Sequence, residues 1–482
     1  MLEARIATGE MTMEAKKAQI YRTLEKMTEE NRARQNALVR EASITDYSDL
    51  VRYESNAENA DGVCRIWTDA FQRALYENEI VRIPAAEEPY YIDRSVLVPS
   101  DRRIVAQDGA TIRLMHGVRT LMLRNVNTKN GTHAPISDGE RDCNIAICGG
   151  RWEESLTGRM GYGRTGMYDT ERSFYGVSTC MFFNNLDGLT LSDLTFVHCG
   201  GFAVQLGDIR NVHIDNVTFI ECYADGLHIN GNSENLRITN VRGQVGDDLV
   251  ALNMYDWQDS SVDFGSTRTV LCEGLTLSSD SPYKAMRIEP GIYYYDDGSS
   301  VDCGLYDAII KNVRGINTFK LYFQTPRYRI VGGEPERGGV GSGDYIFFED
   351  IKIDLNAPID ALSEYLSSDP VRGAFAGFEL GSNIGHIFFD NIDLTLYPER
   401  YPLSYLFCVG PKSSVSGGYE IFDPYLSCEV GEVKVRDLRI NGEAPEDIAP
   451  YIREIVFDDI NGDGRSTGRG AIESVYYEKG AV

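Results

Sequence analysis

Leu189-Thr-Leu-Ser-Asp-Leu194, Val212-His-Ile-Asp-Asn-Val217 and Leu236-Arg-Ile-Thr-Asn-Val241 are copies of one six-residue pattern whose starts are 23 and 24 residues apart. In each copy apolar residues hold positions one, three and six. Apolar residues at alternate places mark a strand with one buried face, so these positions point inward. Position five has to turn the chain sharply between two short strands. Asp, Asn and Gly tolerate the left-handed backbone that such a corner needs. A unit of this length that repeats strand, corner and strand is one coil of a β-solenoid.

Further copies begin at Ile145, Val270, Ala308, Ile346, Ile387, Val433 and Ile455. The corners fall on Asp193, Asn216, Asn240, Gly274, Asn312, Asp350, Asn391, Asp437 and Asp459. The other intervals, mostly 34 to 46 residues, are one coil plus a loop. An antiparallel sandwich or barrel also has evenly spaced short strands, but hairpin signals such as Asn-Gly between alternating strands are scarce here. The pattern predicts an all-β fold, a single right-handed parallel β-helix over residues 46–482, with about ten or more coils. Residues 1–45 form an N-terminal helical extension, with helical composition strongest from Met13 to Val39. A second helix is expected over Cys64–Tyr76, and residues 64–115 read as a cap that shields the first coil's open strand edge.

The formal charge of −26 repels phosphate backbones and anionic headgroups, which argues against nucleic-acid and membrane partners. Apolar runs stay shorter than the roughly 18 residues that span a bilayer. Residues 1 to 30 show no signal-peptide segment, so the expected location is cytoplasmic, with the ten cysteines as free thiols. Cys199 and Cys222 occupy equivalent places in consecutive copies, and no cysteine has the spacing of a metal site.

Stacked coils turn sequence spacing into distance, because equivalent residues on neighbouring strands lie about 4.8 Å apart. Aligning Leu227 and Ile229 with Val250 and Leu252 puts Asp225 under Asp248, with Asp247 alongside. With Met286 and Ile288 inward on the next coil, Lys284 falls in the same column, and Arg287 and Glu289 point outward with His228, Asn230 and Asn253. One coil further, inward Leu321 and Phe323 turn Tyr322 and Gln324 outward. Carboxylates this close repel one another, and the usual resolution is a proton held near neutral pH. Glycoside hydrolysis asks for that combination, a protonated carboxyl beside an ionised one. A lone Asp at such a place would more often cap a turn; three in register favour catalysis.

These residues resemble glycoside hydrolase family 28, the polygalacturonase and rhamnogalacturonase group. Ala224-Asp225-Gly226 is similar to its Asn-Thr-Asp-Gly motif, Gly246-Asp247-Asp248 to its Asp-Asp motif, and Arg287-Ile288 to the start of its Arg-Ile-Lys motif. Cys143 to Gly150 resembles the strand and glycine pair of an early coil. The resemblance implies Asp247 as general acid, Asp225 and Asp248 as the pair that activates water, Arg287 as a substrate-binding cation, and inversion at the anomeric carbon. Two departures stand out: the family's Gly-His-Gly coil is missing, and Glu289 takes the place of the motif lysine that would hold a uronate carboxylate. Either Lys284 supplies that charge or the sugar is neutral. The β-helical α-galactosidases of family 110 have a similar arrangement of aspartates.

Trp257, next to the acids, is a candidate stacking platform, and Tyr293 to Tyr295 a candidate wall. Loops 153–178 and 255–268 are long enough to close a cleft over short substrates. Asp459 to Gly464 begins like a calcium loop, but Gly470 stands where the closing Glu belongs, so it reads as a corner and turn. The expectation is an inverting, exo-acting hydrolase of galacturonate- or galactose-containing oligosaccharides, with no cofactor or metal. A homo-oligomer stays open. The rivals are a lyase or intramolecular transferase on the same fold, using Lys284 or Arg287 as base, and a carbohydrate-binding protein without catalysis.

Overall fold

In the computed structural model, residues 12–480 are described apart from 56–61, 119, 129–139, 155–178, 257–260, 296, 324, 327–329, 332–333, 336–337, 357–373, 416–418, 460–461 and 463–466. The chain winds into a parallel β-helix with three ladders. The repeated pattern builds the first: Ile145 lies beside Leu189, then Val212, Leu236, Val270, Ala308, Ile346, Ile387 and Val433, each one coil on. Residues after the corners form the second, as in Thr195 beside Thr218 and Val217 beside Val241. The third carries the candidate site, with Leu227–Asn230, Val250–Asn253, Ala285–Ile288 and Thr318–Leu321 on consecutive coils.

The pattern's physical logic holds along the axis. Leu189, Leu191 and Leu194, at positions one, three and six, are at most 1% exposed; burying each such side chain contributes roughly 1.5–3 kcal/mol. The nine corner residues lie at φ between 40° and 73°. Their side chains stack from coil to coil: Asn216 Nδ2 donates to Asp193 Oδ1 at 2.7 Å, and Asn391 Nδ2 to Asp350 Oδ1 at 2.5 Å. A polar corner thus satisfies its own donors while it permits the turn. The ten cysteines form no disulfide with one another, and Cys199 and Cys222 are buried in the core.

Three expectations need correction. The last copy does not continue the ladder: Val475, not Ile455, pairs with Val433, and Ile455 packs with Phe422 and Phe457 outside the core. Residues 80–115 are not a cap, because Ile80–Ile83, Arg102–Ala106 and Thr111–Leu114 already pair in parallel as coils. The capping helix is shorter than expected, α2 (Thr68–Glu77), which buries Phe71 and Leu75; Val63–Ile66 is a strand that pairs antiparallel with Arg52–Ser55.

The N-terminal helix, α1 (Met13–Asn36), begins on a Thr12 cap whose hydroxyl accepts from the Ala15 N–H. It lies as a strap across the outside of the first ladder. Ile20, Leu24 and Met27 pack on Leu271, Ile309, Phe347 and Phe388, and Lys16 pairs with Asp307 at 2.8 Å. At its far end Gln35 donates to Asn144 Oδ1 at 2.8 Å. One helix therefore ties together coils that are distant along the axis.

Candidate active site

The third ladder has the register on which the acidic cluster depends: Leu227 pairs with Val250 and Ile229 with Leu252. That brings Asp225 beside Asp248. One oxygen from each of Asp225, Asp247 and Asp248 lies within 4.8 Å of the others. Asp225 and Asp248 are 3% and 2% exposed, whereas Asp247 is half-buried. The next coil follows at once, Leu252 beside Ile288, so no coil intervenes between the aspartate pair and Arg287.

Hydrogen bonds divide the acids. Asp225 Oδ1 accepts the backbone N–H of Asp248 at 3.2 Å, and Oδ2 faces His228 Nδ1 at 2.6 Å. The other ring nitrogen, His228 Nε2, faces Asp256 Oδ2 at 2.9 Å. Burial opposes charge on this imidazole, but the bonds to Asp225 and Asp256 outweigh it and raise its pKa to about 10. The ring lies flat on Phe202, centroids 3.8 Å apart. Asp248 Oδ1 accepts the backbone N–H of Arg287 at 2.7 Å, and its Oδ2 is 3.6 Å from Arg287 Nε. Burial, then the Asp225 charge, push the Asp248 carboxyl well above its ordinary range. Asp247 adds to this, and Arg287 and Lys320 oppose it. Basic side chains thus meet the cluster from two sides, His228 at Asp225 and Arg287 at Asp248. Three carboxylate oxygens this close are also of the kind that hard divalent cations take as ligands.

The sequence matches no protein-family model and no curated protein. Solved structures are similar in fold at low identity. An exopolygalacturonase from Thermotoga maritima is 12% identical with a TM-score of 0.43, over 94% of this chain and 96% of that one. PfbA, a surface adhesin of Streptococcus pneumoniae, is 12% identical with a TM-score of 0.40, over 83% and 88%. A tailspike protein of an E. coli bacteriophage, solved with a pentasaccharide, is 11% identical with a TM-score of 0.47, over 87% and 66%.

Of the expected site residues, Asp225, Asp247, Asp248, His228 and Arg287 come together. Glu289 is 1% exposed and sits 3.4 Å from Arg287 Nη1, so its charge is matched rather than bare. Asn230 bridges scaffold and site: its Oδ1 accepts from Gln205 and the Val262 N–H, and its Nδ2 donates to the Asn253 carbonyl and lies 3.3 Å from His228 Nε2. Asn253 keeps a buried Oδ1 without a hydrogen-bond partner among the described residues. Lys284 points elsewhere, donating to the Ser279 carbonyl at 3.0 Å. Tyr322 is 1% exposed, with the Lys412 ammonium 5.5 Å from its ring centre. Tyr293 packs in the core against Phe264 and Tyr295. Trp257, Gln324 and residues 155–178 lie outside the described residues.

Three participants escaped the sequence reading. Asp256 and Phe202 belong to no motif that singles them out in the sequence. Lys320 was missed because the next coil was started two residues late: Phe319 and Leu321, not Leu321 and Phe323, pair with Met286 and Ile288, which sets Lys320 beside Arg287. The signal was present in Thr318-Phe-Lys-Leu321, an alternation that matches Ala285-Met-Arg-Ile288 residue for residue.

Proposed function

We propose that this protein is a glycoside hydrolase acting on galacturonate- or galactose-containing oligosaccharides, with Asp225, Asp247 and Asp248 as its chemistry. The observation that carries the reading is the convergence of three carboxylates, two of them buried, on the outward face of one ladder. Asp247 is the member that reaches the surface and serves as general acid: it protonates the glycosidic oxygen as the bond from that oxygen to the anomeric carbon breaks. Asp225, which accepts bonds from the His228 ring and the Asp248 N–H, takes a proton from water as the water oxygen attacks that carbon. Asp248 shares the water with Asp225 on this reading.

Arg287 and Lys320, neighbours on consecutive coils, give the strip two cations beyond the acids. Together they suit a sugar carboxylate, and they favour a uronate over a neutral sugar in spite of Glu289, which Arg287 already engages. Release of reducing ends from a panel of galacturonate, rhamnogalacturonate and galactoside oligosaccharides tests the reading. Turnover without a new ultraviolet-absorbing double bond supports hydrolysis; an unsaturated product would mean a lyase, and binding without turnover a lectin-like protein.

The resemblance to family 28 implies inversion, yet the short carboxylate separation favours a second reading. Inverting enzymes typically hold their carboxyl groups ~6.5–9.5 Å apart and retaining ones ~5–5.5 Å; here the nearest oxygens, one from each acid, approach within 4.8 Å, a bound that suits the shorter class. Proton NMR of the first-formed anomer decides: the inverted anomer supports the Asp225–Asp248 water, the retained one a covalent intermediate on an aspartate.

A further inference from the structure

We propose that His228 is a positioning residue: held as an imidazolium between Asp225 and Asp256, it keeps Asp225 as the carboxylate, so that of the buried pair Asp225 and Asp248 it is Asp248 that holds a proton. This rests on the hydrolase reading for its purpose, though not for its geometry.

Both ring nitrogens end on carboxylate oxygens, at 2.6 Å and 2.9 Å. A neutral imidazole has a single N–H, so one of these contacts would set a nitrogen lone pair against an oxygen lone pair. At 2% exposure, water has little room to intervene. An imidazolium satisfies both contacts, and the face of Phe202, parallel to within 6°, favours a cation over it. Among the described residues the uncharged Gln205 and Ala251 flank His228 in register on the coils to either side, and the Asn230 amide Nδ2 lies 3.3 Å from Nε2, farther than the Asp256 oxygen. Asp256 follows the strand Val250–Asn253 and Asp225 precedes Leu227–Asn230, so the two acids reach the ring from consecutive coils. Beyond them stand Asp247, Asp248 and Arg287, whose guanidinium is turned to Asp248 and Glu289.

The consequence is a division of labour. Asp225 accepts a charged donor on Oδ2 and the Asp248 N–H on Oδ1, both of which favour its ionised form. Asp248 is as buried as Asp225 but has no charged ring against it, and burial with the Asp225 charge beside it favours its protonated form. His228 thereby keeps Asp225 ready to accept a proton from water at any pH where the imidazolium persists. A ring without charge would let the proton move to Asp225 and disable the base.

NMR on the full-length protein tests this without a substrate. With 15N-labelled histidine, assigned by the resonances lost in His228→Gln, both His228 nitrogens are expected to carry protons from pH 6 to beyond pH 8. With 13C-labelled aspartate, Asp225 is expected to be ionised and Asp248 protonated across the same range, and His228→Gln to raise the pH at which Asp225 ionises by on the order of one unit or more. A neutral His228 ring at pH 7 overturns the proposal, as does a protonated Asp225 beside an ionised Asp248 in the unsubstituted protein. Should His228→Gln fail to fold, Asp256→Asn serves instead, with loss of the imidazolium expected at lower pH. Once a substrate is known, the acid limb of the kcat/KM profile is expected to rise in His228→Gln, and an unmoved limb counts against the proposal. Absence of turnover on every sugar would strike the hydrolase reading, while the ring's charge is still read by NMR.

Discussion

The backbone N–H of Asp248 donates to Oδ1 of Asp225 across 23 residues of sequence, from one coil to the next. Neither strand holds the pair by itself. The bond exists because Leu227 and Ile229 stack under Val250 and Leu252, so the core that builds the solenoid also sets the spacing of the acids. A slip of one residue would turn the acids' strand faces over and disperse the cluster.

The corners are the first place to test that scaffold. Asn216 has φ of 54° and donates to Asp193. Asn216→Ala loses the bond and keeps the strained backbone, and is expected to cost about 1–2 kcal/mol. Asn216→Gly loses the bond but relieves the strain, so its thermal midpoint is expected to lie between those of the alanine variant and the unsubstituted protein. Equal midpoints for the two variants would show that the corner is not strained.

Glu154 gives a pH-dependent test of the interior. Burial pushes its carboxyl from 4.5 up to about 8, and one bond from the Gly200 N–H only partly offsets this. The folded form therefore holds the proton where the unfolded chain releases it, and stability falls as pH rises through the window from 4.5 to about 8. Glu154→Gln is expected to melt at the same temperature as the unsubstituted protein near pH 4.5 and to melt higher as pH approaches 8. A difference independent of pH would mean that Glu154 does not keep its proton.

Lys320 separates the candidate sugars. If it and Arg287 hold a uronate carboxylate, Lys320→Met is expected to raise KM for a galacturonate oligosaccharide about ten- to a hundredfold, the worth of a charge-assisted bond. KM for a neutral galactoside should change little. An equal effect on both would assign Lys320 to the fold, where it lies over the Tyr283 ring.

Much of this is legible in the sequence. The corner residues, the inward positions and the Asp225–Asp248 register follow from period-two patterning, which is local and strong. Lys320 and the Ile455 copy were misplaced for the opposite reason: where loops interrupt the coils, the pattern survives but its register must be guessed. The contact of His228 with Asp256 was not legible at all, since the segment after Asn253 leaves the ladder and no periodicity governs where its side chains go. Lys284 shows the remaining gap. Its column was read from the sequence, but its long side chain turns to the Ser279 carbonyl, a choice of rotamer that spacing does not encode.

The most direct test of the central claim is the steady-state rate of Asp247→Asn against the unsubstituted protein on whichever oligosaccharide of the panel is cleaved. Loss of the proton donor is expected to lower kcat by about a hundred- to ten-thousandfold with KM nearly unchanged. A variant that turns over at the parent rate would contradict the account and return the three aspartates to the scaffold.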